Sequence, residues 1–483
     1  MGMSGMANEQ EDDIFRILVS HQGEDPWSVD SDVSSKKPFK YGVFGYLVNI
    51  SDSLLVEPGL LENWHWDFEE KRYVFRLRKD LKFHNGRAVT STDLEFSLVR
   101  WFLMTKPSFE KAYVPSIKGI ETLRPGDKFK SGSVPGIKII DDQSMTIEVS
   151  VFNPTFLHSL IDIPLVPMEE LQDDYYTWKG MPVGAGPLKA ISYDKGTGEM
   201  KLEVVAPQTK KHPKRIYMYT KDSKDVVYDI TTKPPNNEDQ FTVVKLSQKH
   251  DWVGHILINH ATDLGRDKNF RKALYHGINR SEIARLRHKH AQAIAEIIPP
   301  SFWGSSAFKD PYDLELAKSF IAKIPKALKE KAYKVPSYTG EKPLHVIELE
   351  KQLQRLGLDF ELVSGWTKFS NPELPPIKIV QINTSSPDPL LQFSFFKEGS
   401  PLINYFPENN HKFEKLFNNG AIAPSFDVKV KTISELSNYF KDEVFSVPTH
   451  AVPPVFFINK QSKFKLGNQR SSVSFFLDRV EKQ

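Results

Sequence analysis

An α/β protein of two or three lobes is the fold class this sequence predicts, and three observations predict it. The chain runs to 483 residues, more than a single hydrophobic core serves, since cores stop growing at roughly 250–300 residues. Its N-terminal half carries segments in which apolar and polar residues alternate with the period of a strand. Its C-terminal half alternates helix-period and strand-period segments, which argues for an α/β lobe with a largely parallel sheet. Hydrophobic residues make up 40% and charged residues 26%, the usage of an ordinary folded protein rather than a disordered one.

Ile14-Phe-Arg-Ile-Leu-Val19 reads as the first strand, ended by the Gly- and Pro-bearing turn at residues 21–26. Residues 72–83 alternate, with Tyr73, Phe75 and Leu77 set against Val74, Arg76 and Arg78. The segment Phe83-His-Asn-Gly86 follows as a tight turn, because Asn-Gly supplies positive φ cheaply. Thr90 then opens a helix, and Asp93 three positions on makes the pattern of a capping box. Leu94, Leu98 and Trp101 share one face of that helix as a packing stripe. Residues 121–135 read as a surface loop, and 137–149 as a hairpin turning at Asp141-Asp-Gln143. Further on, Leu314, Ala317, Ile321 and Ile324 mark an amphipathic helix stopped by Pro325. A second stripe, Val346, Leu349, Leu353 and Leu356, ends at Gly357 in the C′ position. Strands then follow at Phe360 and Leu362 and at residues 377–382.

Composition excludes several functions. The net charge of +3, from 64 basic and 61 acidic residues, offers no clustered field for nucleic acid. The lysines of 323–334, interrupted by Glu330, read as a solvated helix face. No cysteine is present, which removes disulfides, thiolate metal sites and cysteine nucleophiles. No apolar run approaches the roughly 18 residues of a membrane span. The start, Met1-Gly-Met-Ser-Gly-Met-Ala7, shows no signal peptide, which leaves two readings open: a leader removed and replaced, or a chain that stays inside the cell. His288 and His290 could in principle hold zinc, but their basic neighbours and the lack of a carboxylate cluster favour a solvated helix end. Val183-Gly-Ala-Gly-Pro187 lacks the lysine of a phosphate loop and reads as a tight bend. No nucleophile, base and oxyanion site assemble, so an enzyme has no support, and neither a metal nor a cofactor is expected.

The order of segments carries a resemblance. Leu60-Leu-Glu-Asn-Trp64, Tyr73-Val-Phe-Arg-Leu-Arg-Lys79, Leu81-Lys-Phe-His-Asn-Gly86 and Val89-Thr-Ser-Thr-Asp-Leu-Glu-Phe-Ser97 together resemble the signature block of the family 5 extracellular solute-binding proteins. That family serves importers of peptides, nickel chelates, haem and some sugars. The hairpin from Gly136, the bend at 182–187, the segment Phe270-Arg-Lys-Ala-Leu-Tyr-His-Gly-Ile-Asn-Arg280, Pro299-Pro300, Ala317-Lys318, Pro387-Asp-Pro389 and Asn404-Tyr-Phe406 follow in the family's order. The likeness runs from about residue 14 to residue 460.

The resemblance implies a two-lobed, periplasmic-binding-protein-like fold of class II, in three parts. Lobe I would comprise 14–50, an insertion subdomain at 51–178, then 179–256 and 448–483; lobe II would be 257–447. Crossings near residues 256–259 and 447–448 would act as the hinge. It further implies the extracytoplasmic, ligand-capturing subunit of an ABC importer, which closes on a small peptide or other polar organic solute and delivers it to a membrane permease. Such a protein would be a monomer, periplasmic or at the cell surface. The alternative is an intracellular, cytoplasmic ligand-sensing module of the same fold. The candidate ligand contacts are Trp366, Ser385, Asp388, Tyr405 and Trp27. Ser385 stands where peptide-binding members place an aspartate for the peptide's α-ammonium, while Asp388, directly before Pro389, suits a turn. The resemblance therefore implies a site that does not select its ligand by a free ammonium group.

Overall fold

The computed structural model describes residues 13–483 except 20–26, 28–36, 52–54, 105–116, 150–155, 207–210, 236, 246–251, 301, 307–308, 339, 366–374, 384–387, 395, 397–409, 454 and 468–475. The chain divides into two compact units. Unit 1 is Met1–Leu246 with Val455–Gln483, and unit 2 is Ser247–Pro454.

Unit 1 holds a seven-stranded mixed sheet in the spatial order Phe241–Lys245, Val455–Asn459, Ile230–Thr231, Ile14–Leu18, Arg215–Tyr219, Glu199–Val204, Leu188–Asp194. The strand read first from the sequence is its middle strand, parallel to both Arg215–Tyr219 and Ile230–Thr231. Ile14, Phe15, Ile17 and Leu18 are all buried. Such a run, rather than an alternation, is what a strand covered on both faces requires.

A second, antiparallel sheet joins Leu61–Asp67, Arg72–Leu77, Ser144–Glu148 and Ile137–Asp141. Here the alternation is real: Tyr73, Phe75 and Leu77 are buried and the residues between them are half-buried. The hairpin turn is held by Asp141, whose Oδ1 accepts from Gln143 N at 2.8 Å. Gly86 has φ +90° and closes its turn by donating to Phe83 O at 2.8 Å. Helix Ser91–Leu103 starts at the expected cap: Thr90 N donates to Asp93 Oδ2 at 2.8 Å. Leu94, Leu98 and Trp101 are buried in a core that also takes in Phe15 and Phe75, so these two sheets share one interior. The bend at 183–187 is a close backbone contact. Gly186 N donates to Val43 O at 2.9 Å, and a Cβ on Gly186 would lie 2.2 Å from Gly42 O.

Unit 2 departs from the expected parallel arrangement. Its main sheet has the order Gln292–Ala293, Ser446–Val452, Trp252–Ile258, Ile377–Asn383, and every pairing in it is antiparallel. Among the described residues, the parallel ladder of this unit is Tyr333–Tyr338 with Phe360–Ser364, the two strands that flank helix Leu344–Arg355. A crossover helix makes that pair parallel. The main-sheet strands are joined by much longer excursions, which can return from either end. The segments expected as lobe crossings lie side by side in this sheet, with Ile256 opposite Val447, while the units divide at 246/247 and 454/455.

The helices of unit 2 follow their stripes. Ala317 and Ile321 are buried on helix Leu314–Ile321, which ends before Pro325; that proline then caps a short helix, Lys326–Lys329. Val346, Leu349 and Leu353 are buried on helix Leu344–Arg355. It closes through Gly357, φ +76°, with Leu358 N donating to Leu353 O at 3.2 Å. Among the described residues, no helix is long and apolar enough to cross a membrane.

Candidate functional site

Of the five candidate ligand contacts, Trp366, Ser385 and Tyr405 lie outside the described residues. Trp27 belongs to unit 1. Its ring meets Tyr193 edge-on, with centroids 5.2 Å apart, and Phe39 at 6.4 Å, so it is half-buried by packing. Asp388 belongs to unit 2 and is 7% exposed. Its Oδ1 accepts from Leu390 N at 3.0 Å, the Asx turn expected of an aspartate before proline. Its Oδ2 meets Lys429 Nζ at 2.7 Å. Lys429 sits on helix Phe426–Glu443 with its side chain wholly buried. Asp388 thus anchors a loop to a helix through a buried ion pair.

Unit 2 also gathers basic side chains that the sequence reading did not single out. Arg287 ends helix Arg280–Arg287, His345 sits in the first turn of helix Leu344–Arg355, and His255 and His450 come from adjacent strands. The rings of His345 and His450 are 5.8 Å apart, edge to face. His255 is 2% exposed and His450 4%, while Arg287 and His345 are half-buried. Burial, followed by His345, Arg287 and His255, holds His450 down at about 3. Burial alone does the same to His255, and burial with Arg287 holds His345 at about 4. Among the described residues no carboxylate pairs with any of the four. The acids on the two facing helices are engaged elsewhere, Glu282 with Arg285, Glu348 with Arg355 and Glu350 with Lys342.

Arg280, at the other end of the Arg287 helix, shows the contrast. It is fully buried, yet it donates to Pro448 O at 2.9 Å, Tyr275 O at 2.8 Å and Ile278 O at 3.1 Å, and it stacks on the Tyr275 ring. Those carbonyls make it a structural clamp between helix and sheet. The Arg280 Nη2 and the Arg287 Nε, both buried, have no partner among the described residues. The pair His288 and His290 lies just beyond, rings 5.4 Å apart, with His290 N donating to His288 Nδ1 at 3.2 Å. No group of three or more potential metal ligands occurs among the described residues.

Comparison with known proteins places this architecture. Heme-binding protein A of Haemophilus influenzae is 25% identical over 309 residues, which cover 55% of this chain and 53% of that protein, so the chain spans about half the length of this relative. The dipeptide-binding protein DppE of Bacillus subtilis is 23% identical over 412 residues, covering 76% of this chain and 74% of that protein. Among solved structures, the ABC transporter substrate-binding protein CtaP of Listeria monocytogenes superimposes with a TM-score of 0.79 at 14% identity, covering 97% of this chain and 99% of that one. The two-lobed fold is therefore shared where little sequence is. Residues 56–401 match the family model described as bacterial extracellular solute-binding proteins, family 5, middle, and with that match covering most of its length the chain belongs to this family.

Proposed function

We propose that this protein is the extracytoplasmic solute-binding subunit of an ABC importer, capturing a small peptide or another polar organic solute and handing it to a membrane permease. The family match over residues 56–401 carries this reading. The relatives bear names that speak of haem and of dipeptides, and one solved neighbour is an ABC transporter substrate-binding protein. The division of the chain supports it too, since one unit is inserted whole into the other at 246/247 and 454/455. Two connections between compact units permit a hinge motion, and a ligand that binds one arrangement better shifts the balance toward it. The lobe boundaries, the action as a monomer and the location outside the cytoplasm belong to the same proposal. Capture is its whole chemistry: the ligand leaves unchanged and nothing is hydrolysed.

Mass spectrometry of small molecules released from the purified protein tests the ligand class. Small-angle scattering with and without the identified ligand tests the motion, and compaction is expected. Turnover of the released molecule on incubation would overturn the reading as a binding protein.

A further inference from the structure

We propose that His84 is a proton-operated latch in unit 1: as a neutral imidazole it fastens the turn at residues 83–86 to the bend at 183–187, and on taking up a proton it lets go of Gly184. This goes beyond solute capture and does not depend on it.

The latch consists of three hydrogen bonds made by one residue. His84 N donates to Gly184 O at 2.9 Å. The ring then bonds the same bend through both of its nitrogens, with Nε2 2.9 Å from Gly186 O and Nδ1 accepting from Gly184 N at 3.3 Å. These partners leave one protonation state. A carbonyl oxygen only accepts, so Nε2 must carry a hydrogen; a backbone N–H only donates, so Nδ1 must hold a bare lone pair. His84 is therefore the neutral Nε2–H tautomer. The imidazolium carries a second hydrogen, on Nδ1, which would face the Gly184 N–H donor to donor. Protonation thus breaks one of the three bonds and spares the other two.

Each side of the joint is also held from elsewhere, which confines the effect to the contact between them. On the turn side, Gly86 N donates to Phe83 O, and Asn85 Nδ2 donates to Glu170 Oε1 at 2.8 Å. On the bend side, Gly186 N donates to Val43 O, and a Cβ on Gly184 would lie 2.1 Å from that same oxygen, so the bend is pressed against the end of helix Lys37–Phe44. None of these contacts uses the ring. The surroundings resist the proton. Burial holds His84 below the ordinary histidine value, the Gly186 carbonyl pulls the other way, and Lys189, on strand Leu188–Asp194, adds to the effect of burial. Other charged groups of the packed elements are engaged elsewhere or face water: Arg87 pairs with Asp93 and Glu169, Glu170 holds Asn85, Lys40 lies over the Trp101 ring and Lys82 is exposed. With the folded value below the unfolded one, an opened joint binds a proton that the closed joint refuses. Falling pH therefore favours the open form from about pH 6.5 downward, by up to roughly tenfold per pH unit until the folded value is reached.

The test uses the full chain. Residue-resolved hydrogen exchange, expressed as protection factors between about pH 7.5 and 5, compares the amides of Gly184 and Gly186. The two lie in one bend, but the first bonds to His84 and the second to Val43. Gly184 should lose protection as pH falls while Gly186 keeps it. His84→Asn, whose side-chain oxygen accepts from Gly184 N without titrating, should remove that pH dependence. Nitrogen-15 NMR of the histidine rings at neutral pH, with the His84 signals assigned by their loss in that variant, should show the Nε2–H tautomer. An Nδ1–H tautomer overturns the latch, as does a Gly184-to-Gly186 protection ratio that stays flat with pH in the unaltered chain, or a His84→Asn chain that keeps the original pH dependence. Should His84→Asn not fold, the profile of the unaltered chain decides alone.

Discussion

Replacing Lys429 by methionine should unfold unit 2 far more easily than its position on the helix alone would suggest. Lys429 is buried completely and its ammonium lies 2.7 Å from Asp388, itself 7% exposed. Removing one member of such a pair typically costs about 3–5 kcal/mol, because the other charge stays buried. Asp388 keeps its bond from Leu390 N, which places the expected cost near the lower end, about 3 kcal/mol. For a unit of this size, each kcal/mol lowers the midpoint by roughly 2–4 °C, so a fall of about 6–12 °C is expected. The assay is a double-mutant cycle by urea unfolding with Lys429→Met, Asp388→Asn and the pair combined. The Asp388→Asn change removes the buried negative charge as well, so the double variant should be more stable than the sum of the singles implies, by about 2 kcal/mol. Strict additivity, or a Lys429→Met loss under about 1 kcal/mol, would refute the claim that this pair ties the Asp388 turn to the helix.

Three further outcomes are expected. His255, His260 and His450 are held by burial at about 3, so below their ordinary value near 6.5 the unfolded chain binds protons that the folded one refuses; stability should fall from about pH 6.5 downward, by up to roughly 1.4 kcal/mol per pH unit for each histidine. Urea midpoints at pH 7 and pH 5 measure this, and His255→Gln should flatten the slope. Gly186→Ala sets a Cβ 2.2 Å from Gly42 O and 2.6 Å from Gly45 N, backbone atoms that cannot step aside, and should cost about 1–3 kcal/mol, while Gly180→Ala, which meets nothing within 4 Å, should cost little; thermal melts of the two compare them directly. Because a serine stands at position 385, N-acetylated peptides should bind at least as well as their free counterparts in matched calorimetry, and tight binding of the free forms alone would show that another carboxylate grips the ammonium.

What could be read from the sequence was local. The turn at Asn85-Gly86, the Thr90 cap, the Asp141 hairpin and the Gly357 stop each depend on chemistry within a few residues, and each stands where expected. Strand direction in unit 2 was not legible in the same way. The ladder joining Trp252–Ile258 to Ile377–Asn383 and Ser446–Val452 links segments more than a hundred residues apart, and alternation of helix with strand says nothing about which end of a sheet a long connection returns to. The one parallel pair described in this unit lies where a single helix separates two strands, the case in which sequence order does dictate direction. The site divides similarly. That Asp388 shapes a turn followed from the proline after it, but its partner Lys429 is on a distant helix.

The basic cluster was illegible for the same reason, and its history in the sequence is instructive. His288 and His290 drew attention because they are near neighbours in the chain, and they contact each other. His345 and His450 are isolated in the sequence and meet only through the fold. Arg280 and Arg287 sit at opposite ends of one helix, and both are cations drawn into the protein at a cost in hydration. Arg280 offsets much of that cost with three carbonyl bonds, although its Nη2 has no partner among the described residues, so replacing it should loosen the joint between helix and sheet. Arg287 keeps a buried Nε without a partner among the described residues, beside two histidines that its charge depresses further.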